Sequence, residues 1–141
     1  MKTVKEVMNS FPIMVEENTS LMEVFRIVRQ KHLSHLLVVS GTELKGIISK
    51  EDLLNKMLDL SQDTTGRNYN QIVLRTTPVS KVMTTDVKTA APDDLVDEVI
   101  NAMLENAIHC IPILNEKGEP IGILNPMDLL KALAAGYENV I

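Results

Sequence analysis

The stretch Gly46-Ile47-Ile48-Ser49-Lys50-Glu51-Asp52 recurs later in the chain as Gly122-Ile123-Leu124-Asn125-Pro126-Met127-Asp128. Each copy indicates the end of an apolar strand, then a residue that can cap a helix, then a helix that opens on a carboxylate. Two interpretations fit this pattern. The helix start can hold a phosphate and a sugar, or it can simply begin an ordinary helix.

The two stretches belong to an internal repeat that spans most of the chain. Val7-Met8 recurs as Val82-Met83, and Glu23-Val24 recurs as Glu98-Val99, each 75 residues later. The glycine and the aspartate of the quoted stretch recur 76 residues later, because the second copy has one more residue in its turn. Agreement in order across both halves predicts two copies of one supersecondary unit.

The first copy can be divided into elements from its local pattern. Ser20 and Glu23 form a capping-box pattern, and apolar residues follow at helical spacing. Residues 35–39 predict a strand, and residues 44–48 predict a second strand after a short turn. Helical spacing then resumes from Leu53 onward.

The second copy repeats this plan. Its first helix is expected to begin near Asp93 or Asp94. Strands are expected at residues 110–114 and 120–124, joined by a turn at residues 115–118, and a last helix follows.

The repeat also predicts the domain organisation. Repeat 1 covers residues 1–58, a linker covers 59–77, repeat 2 covers 78–136, and a C-terminal tail covers 137–141. The linker is polar and contains glycine, with a short ordered piece expected at residues 72–74. Because a unit of this size cannot cover its own sheet, the copies are expected to pack sheet to sheet around a shared core.

Composition narrows the classes of function. The net charge of -5 and the absence of a basic cluster argue against nucleic-acid binding. No apolar run approaches the roughly 18 residues that span a bilayer, and no signal-peptide core follows the first lysines. The single Cys110 cannot form an internal disulfide, which favours a reducing compartment, so a cytoplasmic protein is expected.

The histidines and the cysteine do not match a known site. His32, His35, His109 and Cys110 lack the spacing of a structural zinc pattern, so no metal is expected. No Ser/His/Asp or Cys/His arrangement occurs at a recognisable spacing, so no catalytic residue is expected.

The order helix, strand, turn, strand ending in Gly-apolar-apolar-Ser-x-x-Asp, then helix, repeated in tandem, resembles a CBS-domain pair, also called a Bateman module. The resemblance covers about Val4 to Ala134, and its other marks are the two Val-Met pairs and residues 108–112. It implies an α/β (α+β) fold of two pseudo-twofold-related β-α-β-β-α repeats. It also implies a non-catalytic regulatory module that binds AMP, ADP, ATP or a related adenosyl compound and reports it to an effector protein.

The first stretch has chemistry that suits such a ligand. Free N–H groups and the positive end of the helix dipole converge after Ser49, and the Ser49 hydroxyl could add a donor to a phosphate. Gly46 would let backbone and ligand approach closely. The resemblance implies that Asp52 accepts hydrogen bonds from the ribose hydroxyls. The alternative is a capping box, in which Asp52 only accepts the Ser49 N–H.

Lys50 favours the phosphate over the cap, because a cation in the first turn of a helix is mildly unfavourable unless an anion lies nearby. The second stretch is weaker, since Asn125 is bulkier than serine and Pro126 removes one N–H donor. Two unequal sites are therefore expected, with the better one at Asp52.

The resemblance implies that each site combines both repeats. The main site would comprise Gly46, Ser49, Lys50, Asp52, Thr84, Thr85, Asp86, Val87, Lys88, Ile108, His109 and Pro112. The second site would comprise Ser10, Phe11, Pro12, Ile13, Leu33, Ser34, Gly122, Asn125 and Asp128.

A second class of function stays open. The chain could be a dimerisation or partner-binding scaffold with no bound nucleotide. The apolar helix faces around Leu54, Met57, Leu130 and Leu133 favour a homodimer in either case.

Overall fold

The computed structural model describes residues 2–61 and 67–136, with only the backbone for residues 61 and 67–69. The predicted tail at 137–141 and the middle of the predicted linker, residues 62–66, lie outside these residues. The chain forms two compact units, which we call the central unit (residues 13–86) and the terminal unit (residues 1–12 with 87–141).

The elements follow one another in an alternating order. They are α1 (Val4–Val7), β1 (Met14–Glu16), α2 (Leu21–Lys31), β2 (His35–Ser40), β3 (Glu43–Ser49), α3 (Lys50–Ser61), α4 (Arg67–Thr76), a 3-10 turn (Val79–Lys81), α5 (Val96–Asn106), β4 (Ile111–Leu114), β5 (Pro120–Leu124) and α6 (Pro126–Ala134). None of the helices in the described residues has the length and apolarity needed to span a bilayer.

A three-stranded sheet, in the order β1-β2-β3, organises the central unit. Strand β1 runs parallel to β2, with Val15 opposite Val38, and β2 runs antiparallel to β3. Gly41, with a φ of 61°, occupies the left-handed region that the tight turn between β2 and β3 requires. The central unit therefore has the predicted β-α-β-β-α order.

Helix α2 covers one face of this sheet. The Ser20 hydroxyl accepts a hydrogen bond from Glu23 N at 3.2 Å, which confirms the predicted cap. Buried residues at helical spacing on α2 pack with strand residues in one core cluster, which includes Leu21, Val24, Leu36 and Ile48. Burial of this apolar surface is the main stabilising contribution to the unit.

The end of the predicted linker is a helix. Helix α4 runs over Arg67–Thr76, beyond the short ordered piece expected at residues 72–74. Its Leu74 is buried in the same cluster as Leu60 of α3 and Val79 of the 3-10 turn. The apolar pattern here is sparse, so this helix depends on contacts with the rest of the unit that a local pattern does not reveal.

The terminal unit has a smaller sheet in which β4 and β5 are antiparallel. The loop between them is closed by Asn115, whose Oδ1 accepts hydrogen bonds from Lys117 N and Glu119 N. Ala90 forms a single parallel bridge to Ile113, in the position that β1 occupies in the central unit. Val4, Val99, Ile111 and related buried residues form the core cluster of this unit.

Helix α5 begins later than predicted. The sequence favours a start near Asp93 or Asp94, whereas the helix begins at Val96. The Asp94 carboxylate accepts a hydrogen bond from Ala91 N at 2.8 Å, so it closes the preceding turn instead of capping the helix. A short polar residue such as Asp94 can stabilise either a turn or a helix start, and here it stabilises the turn.

The two repeats also share the backbone conformation at the end of their first long helix. Helices α2 and α5 both end in a non-glycine residue in the left-handed region, His32 with a φ of 53° and Ala107 with a φ of 52°. These residues are 75 positions apart, and the next N–H donates to a helix carbonyl in both cases, from Leu33 to Val28 and from Ile108 to Met103.

Candidate functional site

The first candidate stretch lies where β3 ends at Ser49 and α3 begins at Lys50. Ser49 N donates to Asp52 Oδ2 at 2.9 Å, and Asp52 N donates to Ser49 Oγ at 3.0 Å. These two bonds form the capping box that was the alternative to ligand binding. The capping interaction is therefore present in the folded chain.

The same box leaves part of each side chain available. Asp52 is half-buried, and its Oδ1 accepts no hydrogen bond from the residues that the structure describes. The Ser49 hydroxyl accepts from Asp52 N and can still donate its own proton. A carboxylate held at one oxygen and unpaired at the other can accept hydroxyl groups of a sugar at a defined position.

The backbone at the start of α3 is less free than predicted. Lys50 N donates to Ser34 O at 2.9 Å, and Asp52 N donates to the Ser49 side chain. Of the first three helix N–H groups, only that of Glu51 has no acceptor among the described residues. The anion site at this helix start therefore depends on side-chain donors more than on backbone donors.

Gly46 makes room for another part of the chain. A Cβ atom at this position would lie 2.7 Å from the Thr84 carbonyl oxygen and 2.7 Å from Met83 Sδ. Ile47 and Thr84 form two backbone hydrogen bonds, at 2.9 and 2.8 Å, so the segment through Thr84 lies along β3. The close approach here is between two chain segments.

Within the central unit, the structure brings together seven of the twelve residues predicted for the main site. They are Gly46, Ser49, Lys50, Asp52, Thr84, Thr85 and Asp86. Thr84, Thr85 and Asp86 are exposed, as is Lys50. The remaining five, Val87, Lys88, Ile108, His109 and Pro112, belong to the terminal unit.

The second candidate stretch has the same local geometry. Asn125 N donates to Asp128 Oδ2 at 2.9 Å, and Asp128 N donates to Asn125 Oδ1 at 3.0 Å. Asn9 pairs with Ile123 as Thr84 pairs with Ile47, and Met8 lies against Gly122.

Six of the nine residues predicted for the second site lie in the terminal unit. They are Ser10, Phe11, Pro12, Gly122, Asn125 and Asp128. Ile13, Leu33 and Ser34 belong to the central unit. The Phe11 side chain is 85% exposed, and its N–H donates to Asn9 Oδ1, so it fills no space inside its own unit.

A hollow of about 390 Å³ lies beside Asp128 in the terminal unit. Its lining includes Asn9, Asp128 and Lys131, which offer an amide, a carboxylate and an ammonium group. Burial raises the pKa of Asp128, while the Asn125 N–H and Lys131 lower it by a smaller amount.

The cysteine of the terminal unit, Cys110, has low reactivity. Burial, and to a smaller extent the Asp128 carboxylate, raises the pKa of Cys110 to about 12. At neutral pH the group is therefore a neutral thiol, the form of cysteine that reacts slowly as a nucleophile. Across residues 2–61 and 67–136, no three His, Cys, Asp or Glu side chains are placed to hold a metal ion.

The sequence did not indicate two kinds of contact made with these stretches. Met83 and Met8 pack against the glycines, and the recurring Val-Met pairs were the available signal. The resemblance assigns Ser34 to the second site, but its carbonyl oxygen accepts a hydrogen bond from Lys50 N at the first. This role is carried by the backbone, so no side-chain pattern could indicate it.

Comparisons with known proteins agree with this geometry. The family model described as "CBS domain" matches residues 4–59 and again residues 79–135. The uncharacterized protein MJ1426 of Methanocaldococcus jannaschii is 28% identical over 92% of this chain and 90% of its own length. The homoserine O-acetyltransferase of Methanosalsum zhilinae is 25% identical over 93% of this chain, which spans only 24% of that enzyme.

Solved structures share the fold. The CBS domain pair of protein MJ0100, in complex with 5'-methylthioadenosine and S-adenosyl-L-methionine, has a TM-score of 0.77 and 25% identity over 96% of this chain and 98% of its own. The protein AcuB of Vibrio cholerae has a TM-score of 0.81 and 24% identity, covering 98% and 94% of the two chains. CBSX2 in complex with AMP has a TM-score of 0.79 and 21% identity, covering 96% and 98%. With two family matches in tandem over a shared fold, the chain belongs to the CBS-domain family as a tandem pair.

Proposed function

We propose that this chain is a regulatory module that binds an adenosine-containing ligand, such as AMP, ADP or ATP, and reports it to an effector protein. The observation that supports this function is the hydrogen bonding of the Asp52 carboxylate. One of its oxygens is held by Ser49 N, and the other accepts no hydrogen bond from the described residues. A fixed acceptor of this kind suits the paired hydroxyls of a ribose, because little side-chain entropy is lost on binding.

The proposed main site extends from this carboxylate to the exposed segment at Thr84–Asp86. Thr85 and Ser49 supply hydroxyl donors, and Lys50 supplies a cation for the phosphate. In the terminal unit, the residues proposed to contact a nucleotide are Val87, Lys88, Ile108, His109 and Pro112. The weaker second site is proposed at Asp128, with Asn125, Gly122 and residues 10–12 of the same unit.

Relatives with bound ligands support the chemical class. MJ0100 binds 5'-methylthioadenosine and S-adenosyl-L-methionine, and CBSX2 binds AMP, so all three ligands contain adenosine. In the homoserine O-acetyltransferase the matched region is about a quarter of a longer enzyme. These relatives support a regulatory role for the module, without catalysis of its own, and a ligand panel that includes adenosyl sulfur compounds.

The test is a ligand panel measured on wild type and Asp52→Ala by thermal shift and calorimetry. At a hundredfold excess over the dissociation constant, the ligand that binds is expected to add about 2.7 kcal/mol to the stability of the wild type. Asp52→Ala is expected to raise the dissociation constant about tenfold to hundredfold, since hydrogen bonds to a charged acceptor are lost.

Asp128→Ala is the matched control, because it breaks the equivalent capping box in the terminal unit. Asp128→Ala should lower the free energy of unfolding by about 1 kcal/mol, the same loss that is expected for Asp52→Ala. It should leave ligand binding at the main site unchanged. An Asp52→Ala protein that binds the ligand as tightly as wild type would disprove the assignment of the main site.

A second candidate function is a scaffold that self-associates or binds a partner without a nucleotide. It is favoured by exposed apolar side chains on the last helix of each repeat, where Leu54 is 57% and Leu130 is 56% exposed. A panel that produces no shift with any adenosine compound would favour the scaffold. A homodimer is part of both proposals, and a cytoplasmic location is proposed from the single reduced Cys110.

A further inference from the structure

The hollow of about 390 Å³ beside Asp128 lies wholly in the terminal unit, between α1 and α6. Ala132 and Ala135 form part of its wall, and their small side chains leave the space open. The polar side chains that line it are Glu6, Asn9, Asp128 and Lys131. A cavity of this size with a few polar groups suits a small polar molecule.

Two carboxylates of this hollow have an oxygen to offer. Asp128 Oδ2 accepts the Asn125 N–H, and Glu6 Oε2 accepts the Thr3 N–H at 3.2 Å. The other oxygen of each carboxylate accepts no hydrogen bond from the residues that the structure describes. Neither carboxylate forms an ion pair with a described lysine or arginine. These two oxygens can therefore accept N–H or O–H groups of a ligand.

Two donors complete the polar lining. Lys131 forms no ion pair within the described ranges, so its ammonium group is available. Asn9 Oδ1 accepts the Phe11 N–H at 3.0 Å, and this orientation leaves the two hydrogens of the Asn9 amide nitrogen for another acceptor. An ammonium and an amide N–H together suit a carboxylate of a ligand.

This set of charges is particular to the terminal unit. In the internal repeat, the position of Glu6 is occupied by Lys81 and the position of Lys131 by Asn55. The aspartate and its capping box are present in both units, so the shared fold needs neither Glu6 nor Lys131 for the cap. A role in binding gives a physical reason for the two charges at this hollow.

We infer that the hollow binds an α-amino acid group, with the ammonium at Glu6 and the carboxylate at Lys131 and Asn9. A ligand with only a carboxylate would lie beside two carboxylates, and a ligand with only an amine would leave Lys131 unpaired. Both charges of the zwitterion are matched, so the lining selects for it.

The amino acid group can come from two sources. In an adenosyl compound, Asp128 accepts the ribose hydroxyls while the amino acid group lies further along α6, and this arm rests on the proposed function of the second site. In a free amino acid, Asp128 and Glu6 both accept from the ammonium. The two sources share Glu6 and Lys131, which therefore carry the test.

The test is calorimetry on the full chain with Asp52→Ala in every protein, so that the main site contributes little. The probes are S-adenosyl-L-homocysteine, L-methionine and 5'-methylthioadenosine, and the last has no amino acid group. Glu6→Gln and Lys131→Met are the test variants. Both positions are exposed, and glutamine keeps an oxygen for the Thr3 N–H, so both variants are expected to fold.

Glu6→Gln and Lys131→Met are each expected to raise the dissociation constant of the amino acid probe about tenfold, because a charge-assisted hydrogen bond is lost. Neither is expected to change the dissociation constant of 5'-methylthioadenosine. Binding of S-adenosyl-L-homocysteine that is at least about tenfold tighter than that of L-methionine would identify an adenosyl compound as the source. Equal binding of these two probes would identify a free amino acid.

Glu116→Gln and Lys117→Met are the matched controls. They make the same charge changes at exposed positions of the terminal unit that do not line the hollow, and they are expected to leave binding unchanged. The inference would be overturned if both test variants bound the amino acid probes like the parent protein. Dissociation constants above about 1 mM for both amino acid probes would also overturn it.

Binding of AMP to the chain with Asp52 intact separates this inference from the proposed function. A chain that binds AMP but shows no effect of Glu6→Gln or Lys131→Met contradicts only the amino acid site. A chain that binds L-methionine as inferred but no adenosine compound contradicts only the nucleotide proposal.

Discussion

Asp52 and Asp128 show how one local pattern can serve two purposes. Each carboxylate accepts the backbone N–H of the residue three positions earlier, at 2.9 Å in both cases. The cap fixes the side chain and leaves one oxygen for another partner. Capping and ligand binding are therefore compatible at Asp52, and the capping box alone does not argue against a sensor.

The surroundings of Asp128 lead to a prediction for the dependence of stability on pH. Burial raises the pKa of Asp128 above the ordinary value of 3.8, so the folded state holds this proton more tightly than the unfolded state. The stabilisation is then fully present below pH 3.8 and is lost as the pH rises through the folded-state pKa.

The measurement compares wild type with Asp128→Asn, whose amide oxygen can still accept the Asn125 N–H. The free energy of unfolding of the wild type, relative to that of the variant, is expected to fall as the pH rises above 3.8. Urea unfolding from about pH 3.5 to about pH 7 gives this difference. A difference that is constant or rises over this range would contradict the prediction.

At the scale of elements, the segment that leads into each repeat lies along a strand. Met83-Thr84 lies along β3, and Met8-Asn9 lies along β5. At Gly46 the approach needs a glycine, because a Cβ atom would lie 2.7 Å from the Thr84 carbonyl oxygen. At Gly122 a Cβ atom would meet the flexible Met8 side chain and lie 3.1 Å from the Asn9 carbonyl oxygen. The lead-in segment of each repeat thus packs in the same unit as the strands of the other repeat.

Gly46→Ala tests this contact. The added Cβ would lie 2.7 Å from the Thr84 carbonyl oxygen, and this backbone atom cannot rotate away as a side chain could. We expect a loss of about 1–3 kcal/mol in the free energy of unfolding and faster hydrogen exchange at Ile47 and Thr84 N–H.

Gly118→Ala is the control, because a Cβ atom there meets nothing within 4 Å. It is strained only by its φ of 80°, so it should lower stability without a selective effect on Ile47 and Thr84. Unchanged exchange at both amides in Gly46→Ala would show that the segment does not need the glycine.

Most elements could be predicted from local patterns. The Ser20 cap, the strands β2 to β5 and the turn at Asn115 follow from hydrogen bonds and periodicities within a few residues. Helix α4 and the start of α5 could not be predicted in the same way. Leu74 is buried by residues distant in the chain, and Asp94 is equally suited to a turn and a cap.

For the candidate site, the sequence predicted the two stretches and their aspartates. It predicted neither the Lys50 N–H bond to the Ser34 carbonyl nor the contact of Met83 with Gly46. Both involve partners separated from the stretch by many residues, and the first involves no side chain at all.

At the scale of the whole molecule, the compact units do not follow the order of the repeat. The family matches cover residues 4–59 and 79–135, whereas the compact units are 13–86 and 1–12 with 87–141. Leu74 and Val79, which lie outside residues 1–58, are buried in the core cluster of the central unit. Repeat and folding unit are therefore different segments.

Two fragments test this difference. A fragment of residues 13–86 is expected to unfold cooperatively, because it keeps the whole core cluster. A fragment of residues 1–58 lacks Leu74 and Val79 and is expected to lose about 2–5 kcal/mol, enough to unfold a unit of this size. Circular dichroism during urea unfolding measures both, and a cooperative transition for 1–58 alone would contradict the prediction.

The sequence by itself determined the duplicated plan, the order of β2 to β5 and of the helices α2, α3, α5 and α6, and the two stretches that end in an aspartate. These features depend on periodicity, capping and turn chemistry, which act over a few neighbouring residues. Only the tertiary structure decided which lead-in segment accompanies which strand, why a side chain at position 46 would meet the Thr84 backbone, and where α4 is anchored. These features depend on contacts between segments far apart in the chain, and those contacts exist only once the apolar residues of both segments are buried together.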